Sequence, residues 1–202
     1  MKKILVLAVL ALAMPFAAFA NSVDFSNSGG TLTGSSAGLT LTGSTLVSVY
    51  GLNGGGLITG SNLGSVAFST GALTSGSLQM GGAFAGGGSF VIAGNGTNGI
   101  PSGVLFSGTF TGPVTWTMVT LANGTHNYTL TGAIQGTWYT GSPVEGVTVQ
   151  LTVNTGKGFF NGSTMVSSGD TNVVVPEPGS LSLLGTGLLG VAGLVRRKLK
   201  IG

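Results

Sequence analysis

The sequence predicts an all-β protein, a single antiparallel β-sandwich or jelly-roll-like body followed by one C-terminal hydrophobic helix. Apolar and polar residues alternate along several segments of the second half, which is typical of strands with one buried face. Asn-Gly pairs separate these segments, and Asn-Gly favours tight hairpin turns. Several short strands joined by turns indicate a sandwich-like fold.

Composition excludes several kinds of protein. The chain has 202 residues, of which 39 are glycine and 5% are charged, and it contains no cysteine. Without cysteine there is no disulfide scaffold, thiolate metal site or cysteine nucleophile. Residues 21–175 contain one basic and three acidic residues, a net charge of −2, so the formal charge of +3 comes from the two ends. We expect no nucleic-acid partner, because nucleic-acid binding needs clustered Lys and Arg.

The first twenty residues have the layout of a secretory signal peptide. Two lysines precede an apolar run at residues 4–13, and Ala18 and Ala20 occupy the small-residue positions of an A-x-A cleavage site. Cleavage after Ala20 makes Asn21 the first mature residue, with the Sec translocon and signal peptidase as partners. An N-terminal membrane anchor is the alternative, but the run is shorter than the about 20 residues that a span needs.

Residues 21–175 form the predicted sandwich body, which is rich in Gly, Ser and Thr. Alternation is clearest in three segments: 114–121, 126–139 and 147–153. Residues 104–110 alternate less cleanly because Leu105 breaks the pattern. Shorter strands are expected around four segments: 38–50, 63–69, 77–81 and 88–93. Residues 21–38 are expected to form an edge strand or to be frayed, and Asn123-Gly124 predicts a type I′ turn.

The C-terminal residues 176–202 combine a proline motif, an apolar run and a basic end. Pro176-Glu177-Pro178 cannot continue a strand, because each proline lacks an N–H donor. The apolar residues 181–195 predict a transmembrane helix at about 180–196. A basic stop-transfer tail follows and stays on the cytoplasmic side: Arg196, Arg197, Lys198 and Lys200. Fifteen residues span about 22 Å against a core of about 30 Å, so transient anchoring is expected. An amphipathic helix packed on the body is the alternative.

This order of motif, apolar run and basic end resembles the PEP-CTERM sorting signal. In that family, exosortase, an integral membrane transpeptidase-like protease, recognises the Pro-Glu-Pro motif. The resemblance implies that Pro176, Glu177 and Pro178 form the sorting motif, with exosortase and the inner membrane as partners. It also implies that the tail is removed and the body is released or attached at the cell surface. The class occurs in Gram-negative bacteria that make exopolysaccharide and biofilm.

Few side chains of the body can carry chemistry. A Ser-His-Asp arrangement would need His126, which follows a turn and is expected to be solvated. A glycosidase would need Glu145 and Asp170 at about 5–10 Å, and both lie in turn-like sequence. We therefore expect no catalytic residue, no metal ligand, no cofactor and no enzymatic activity.

Two adjacent aromatic pairs, Trp138-Tyr139 and Phe159-Phe160, suggest one binding hypothesis. Neighbouring residues on a strand point to opposite faces, so one residue of each pair should be exposed and could stack on sugar rings. Core packing is the alternative. The sequence thus favours an exported cell-surface or extracellular-matrix protein of exopolysaccharide or biofilm, with a structural or interaction role. A carbohydrate-binding module for exopolysaccharide and a secreted hydrolase are the alternatives.

Overall fold

Residues 21–175 are described by the structure, a computed structural model, and they form thirteen β-strands and a 3₁₀ turn at Leu52–Gly54. The strands of the first half are β1 (Asn21–Ser28), β2 (Thr31–Ser35), β3 (Gly38–Tyr50), β4 (Ile58–Ser69), β5 (Leu73–Ser77), β6 (Gly81–Phe84) and β7 (Gly87–Asn95). Those of the second half are β8 (Ser102–Phe110), β9 (Val114–Thr120), β10 (His126–Trp138), β11 (Pro143–Asn154), β12 (Ser163–Met165) and β13 (Ser168–Val175).

Eight of these strands close into an antiparallel barrel. Their order around the wall is β11, β13, β1, β3, β4, β7, β8 and β10, and β10 pairs with β11 to complete the ring. The all-β prediction is confirmed, but the prediction of a β-sandwich or jelly roll is wrong. A sandwich consists of two separate sheets, whereas here one continuous sheet returns to its own first strand.

Strand β10 both closes the barrel and extends the sheet, because it pairs with two strands along one edge. Its whole length pairs with β11 on the other edge, from Asn127 opposite Asn154 to Thr137 opposite Pro143. On the remaining edge, the first half pairs with β9 and the second half with β8. The sheet therefore continues from β9 to β6 and β5, while β2 and β12 extend it beside β3.

The core lies inside the barrel and continues beneath these extensions. Along β10 the residues predicted to face inward are all buried: Tyr128, Leu130, Ile134 and Trp138. The threonines between them face outward. In the barrel, Phe68, Phe90 and Phe110 pack with ring centroids 5.9–6.2 Å apart. Burial of each such side chain contributes about 1.5–3 kcal/mol.

The broken alternation of β8 has a structural cause. Ile92 pairs with Phe106 and Ala93 pairs with Val104, so Leu105 is an extra residue in the ladder. This bulge lets both Leu105 and Phe106 point inward, where both are fully buried, and leaves Val104 exposed.

The first half differs from its prediction in two places. Residues 21–28 are not an edge: β1 lies in the barrel wall between β13 and β3, because Val23 and Phe25 fill the core. Residues 77–81 are not a strand but span the turn between β5 and β6. Strand β3 has the predicted bounds, and β4 and β7 extend beyond the predicted segments.

The hairpin at Asn123-Gly124 forms with a different turn from the predicted type I′. Only Gly124 has a positive φ, of 79°, whereas a type I′ turn needs two such residues. The Asn123 side chain instead accepts a hydrogen bond from the Thr125 backbone N–H at 3.0 Å. In the equivalent bond of the other turn, the Thr97 backbone N–H donates to the Asn95 side chain at 3.0 Å. Each Asn-Gly-Thr sequence is thus a side-chain-supported turn.

Within residues 21–175, no helix is long and apolar enough to cross a membrane. The predicted signal peptide at residues 1–20 and the predicted C-terminal helix at about 180–196 lie outside the described residues.

Candidate functional site

The last barrel strand leads directly into the predicted sorting motif. In β13, Val173 is fully buried and Val175 packs against the core, while Val174 between them faces outward. The next residue is Pro176, the first of the Pro-Glu-Pro motif. The folded body therefore extends to the residue before the motif.

Strand β13 is adjacent to β1, so the two ends of the body lie together. Seven antiparallel pairings connect β13 to β1 the long way around the barrel, through β11, β10, β8, β7, β4 and β3. Because the number of reversals is odd, β1 and β13 also run antiparallel. The start of β1 thus lies beside the end of β13, and a hydrogen bond from Asn172 Nδ2 to Asp24 Oδ1 joins the two strands.

Several predicted site residues lie outside the described part of the chain. These are the cleavage residues Ala18 and Ala20, the sorting motif at 176–178 and the basic tail at 196–200. Asn21, the predicted first mature residue, is the first residue of β1.

An independent comparison supports the assignment of the C-terminal segment. The model of the PEP-CTERM protein-sorting motif matches residues 174–198, so the chain carries this motif. The match begins inside β13, at Val174, and includes the proline motif, the apolar run and the start of the basic tail. The chain is therefore an exported protein that is sorted to the cell surface through exosortase. No curated protein and no solved structure matches the chain.

The first aromatic pair is divided between the core and the surface. Trp138 is buried and packs against Phe25, with ring centroids 6.0 Å apart, so it is not available for sugar stacking. Tyr139 is partly exposed, and its hydroxyl donates a hydrogen bond to Asn53 Oδ1 at 2.7 Å. That bond joins the β10–β11 loop to the β3–β4 loop.

The second pair is divided in the same way. Phe160 is fully buried against Trp116, with centroids 5.4 Å apart, so it too is unavailable to a sugar. Phe159 is 48% exposed and stacks on the His126 ring at 4.4 Å with an angle of 14° between the planes. His126 is buried, not solvated as expected, and its Nδ1 lies 3.0 Å from Thr120 Oγ1.

The two exposed aromatics do not form one platform. Phe159 stacks on the first residue of β10, and Tyr139 follows its last residue. Thirteen residues of strand separate these positions by about 40 Å. A sugar-binding surface therefore cannot combine Phe159 with Tyr139.

Glu145, Asp170 and His126, the candidate catalytic residues, are also separated from one another. Asp170 pairs with Gln150 on β11, five residues from Glu145, or about 16 Å along the strand. The two carboxylates line different open grooves of the outer wall, of about 590 Å³ at Glu145 and about 490 Å³ at Asp170. His126 points into the core instead. Within residues 21–175, no three His, Cys, Asp or Glu residues are grouped as metal ligands.

Sequence reasoning missed one feature, a set of exposed apolar side chains at the end where β1 begins and β13 ends. We call this set the terminal rim; its members are Tyr50, Leu57, Val104, Tyr139 and Val174. They lie near strand ends or in the loops of that end, where no alternation marks them. In the loops of the same end, Leu52 and Ile100 are buried and belong to the core.

Proposed function

We propose that the barrel is a non-catalytic body, displayed at the cell surface or in the extracellular matrix after exosortase processing. The observation that carries this proposal is the continuity of β13 with the sorting motif matched at residues 174–198. A compact body that ends at the motif can be separated from the C-terminal segment without loss of a core residue.

The chemistry of the body supports a structural or interaction role. Its charged residues are Asp24, Glu145, Lys157 and Asp170, and Glu145, Asp170 and His126 are not brought together. Outward positions of β10 and β11 are mainly threonine, glutamine and glycine. Such a surface offers many neutral hydrogen-bonding groups, which suit a hydrated polysaccharide matrix.

A membrane stage precedes display in this proposal. The signal peptide directs export through the Sec translocon, and the apolar residues 181–195 hold the precursor in the inner membrane. The basic tail remains on the cytoplasmic side, because positive residues oppose translocation. Exosortase then acts near the Pro-Glu-Pro motif, and the body leaves the membrane.

The test compares secreted protein from cells with and without exosortase. C-terminal peptides read by mass spectrometry should lack residues 181–202 only when exosortase is present. A Pro176→Ala/Pro178→Ala variant should retain them in both strains. Identical C-terminal peptides in the two strains would exclude exosortase processing.

Carbohydrate binding remains a second candidate because of the exposed, supported ring of Phe159. The His126 ring beneath it holds it in place, so a sugar could stack without a large loss of side-chain entropy. Co-sedimentation with purified exopolysaccharide tests this candidate. Phe159→Ala should abolish binding while Tyr139→Ala retains it, and equal binding by both variants and the parent would exclude stacking at Phe159.

A further inference from the structure

The terminal rim lies at the end of the barrel where β13 ends, and the predicted membrane segment follows β13 in sequence. Three loops reach this end: 51–57, 96–101 and 139–142. The Tyr139–Asn53 hydrogen bond ties two of these loops together. The Tyr139 backbone N–H also donates to Leu105 O at 2.8 Å, which fixes it beside β8. Hydrogen bonds thus connect the β3–β4 loop, the β10–β11 loop and β8, all of which carry exposed apolar side chains of the rim.

The length of chain after β13 limits how far this end can lie from the membrane. Five residues, 176–180, separate Val175 from the first apolar residue, Leu181. Even fully extended, that connection reaches at most about 20 Å. Strand β10 alone is about 40 Å long, so the far end of the body cannot be brought to the bilayer as readily as the rim.

The rim also has the chemistry of a membrane-interface surface. Tyrosine prefers the headgroup region, where its ring is in an apolar setting and its hydroxyl is hydrated. Val104, Leu57 and Val174 add aliphatic area. Among the charged side chains of residues 21–175, those nearest to this end are the carboxylates of Asp24 and Glu145, while Lys157 follows the far end of β11. Those carboxylates disfavour an anionic lipid surface.

We propose that the terminal rim docks on the zwitterionic lipid interface while the precursor is tethered in the membrane. This inference rests on the membrane stage of the proposed function. In the docked state the barrel contacts the bilayer through the rim, and the end of β13 faces the bilayer. The Pro-Glu-Pro motif is then held at the membrane surface, within reach of an integral membrane protease.

Two matched reporter positions test the proposal in the mature precursor, residues 21–202. The chain has no cysteine, so Leu57→Cys and Met80→Cys each give a single labelling site. Both native side chains are 64% exposed, but Leu57 belongs to the rim and Met80 lies in the β5–β6 turn. Each variant carries an environment-sensitive fluorophore and is reconstituted into phosphatidylcholine vesicles containing brominated acyl chains.

The expected result is a blue shift and lipid quenching at position 57, with neither at position 80. Replacing part of the phosphatidylcholine by phosphatidylglycerol should reduce the response at 57. An equal response at the two positions would overturn the proposal. A shift at 57 that needs a high protein concentration but no vesicles would also overturn it, because a second copy would then cover the rim.

Vesicle flotation separates failure of the rim proposal from failure of the membrane stage. A precursor that floats with vesicles but responds alike at 57 and 80 is tethered without docking. A precursor that does not float lacks the membrane stage, and both proposals fall. Val104→Cys provides a second rim reporter on a strand, and its response should match that of position 57.

Discussion

Asn172 donates a side-chain hydrogen bond to the carboxylate of Asp24, and this bond joins the last strand of the barrel to the first. The two residues are separated by 148 positions in sequence. Their contact brings the start of β1 and the end of β13 to the same end of the body. The predicted first mature residue, Asn21, and the residue before the predicted sorting motif, Val175, therefore lie at one end of the body.

The Asn172–Asp24 bond should contribute measurably to stability. Asn172→Ala removes a hydrogen bond to a carboxylate and is expected to lower the free energy of unfolding by about 1 kcal/mol. Urea denaturation of the mature protein measures this loss. A double-mutant cycle with Asp24→Ala isolates the pair, and a coupling energy of zero would show that the bond is not formed in solution.

Thr171 offers a stabilising substitution in the same strand. Its side chain is 1% exposed, and its hydroxyl has no hydrogen-bond partner among the described residues. Thr171→Val replaces that hydroxyl with a methyl group of similar size and should raise the free energy of unfolding by about 1 kcal/mol. Ser44 is the matched control, because its buried hydroxyl accepts from Asn27 and donates to Ser28 O. Ser44→Ala should destabilise; a loss of stability in both variants would contradict the assignment at Thr171.

Gly136 should be required where β8 and β10 close the barrel. It pairs with Gly108, and a Cβ at Gly136 would lie 2.1 Å from Ser107 O. Gly136→Ala is therefore expected to cost about 1–3 kcal/mol through strand separation. Gly112→Ala, where no atom lies within 4 Å, should stay within about 0.5 kcal/mol of the parent. Thermal unfolding of both variants measures the difference, and equal midpoints would argue against the closed β8–β10 contact.

The basic tail should control how long the precursor stays in the membrane. Neutral replacements at Arg196, Arg197, Lys198 and Lys200 remove the barrier to translocation, and the 15-residue apolar run holds only weakly. More unprocessed precursor should then reach the medium, as measured by the fraction of released protein that still carries residues 181–202. Lys157→Gln, which changes a charge in the body, should leave this fraction unchanged. Retention and trimming at the parental level would contradict the stop-transfer role of the tail.

The strands of the second half could be predicted because their inward residues are large and their outward residues are polar. Tyr128, Leu130, Ile134 and Trp138 alternate with neutral polar residues and glycine, and the strand follows from that pattern. In the glycine-rich first half, inward and outward residues differ less in size and polarity. The sequence pattern therefore wrongly predicts a strand at residues 77–81, which span the β5–β6 turn.

The closed barrel could not be predicted from such local patterns. It depends on β10 pairing with β8 on one edge and with β11 on the other, and Trp138 of β10 pairs with Phe106 of β8, 32 residues earlier. Each aromatic pair has one exposed residue, as predicted, but strand alternation is not the cause, because Tyr139 follows the end of β10 and the second pair lies in the β11–β12 loop. Trp138 and Phe160 are core residues, and Tyr139 and Phe159 are not.

The intact mass of the native extracellular protein is the sharpest test of export and C-terminal processing, because one measurement defines both ends of the chain. We expect a chain that begins at Asn21 and lacks residues 181–202, with the whole barrel through Val175 retained. A mass that includes the apolar run and the basic tail would contradict sorting by removal of the C-terminal segment.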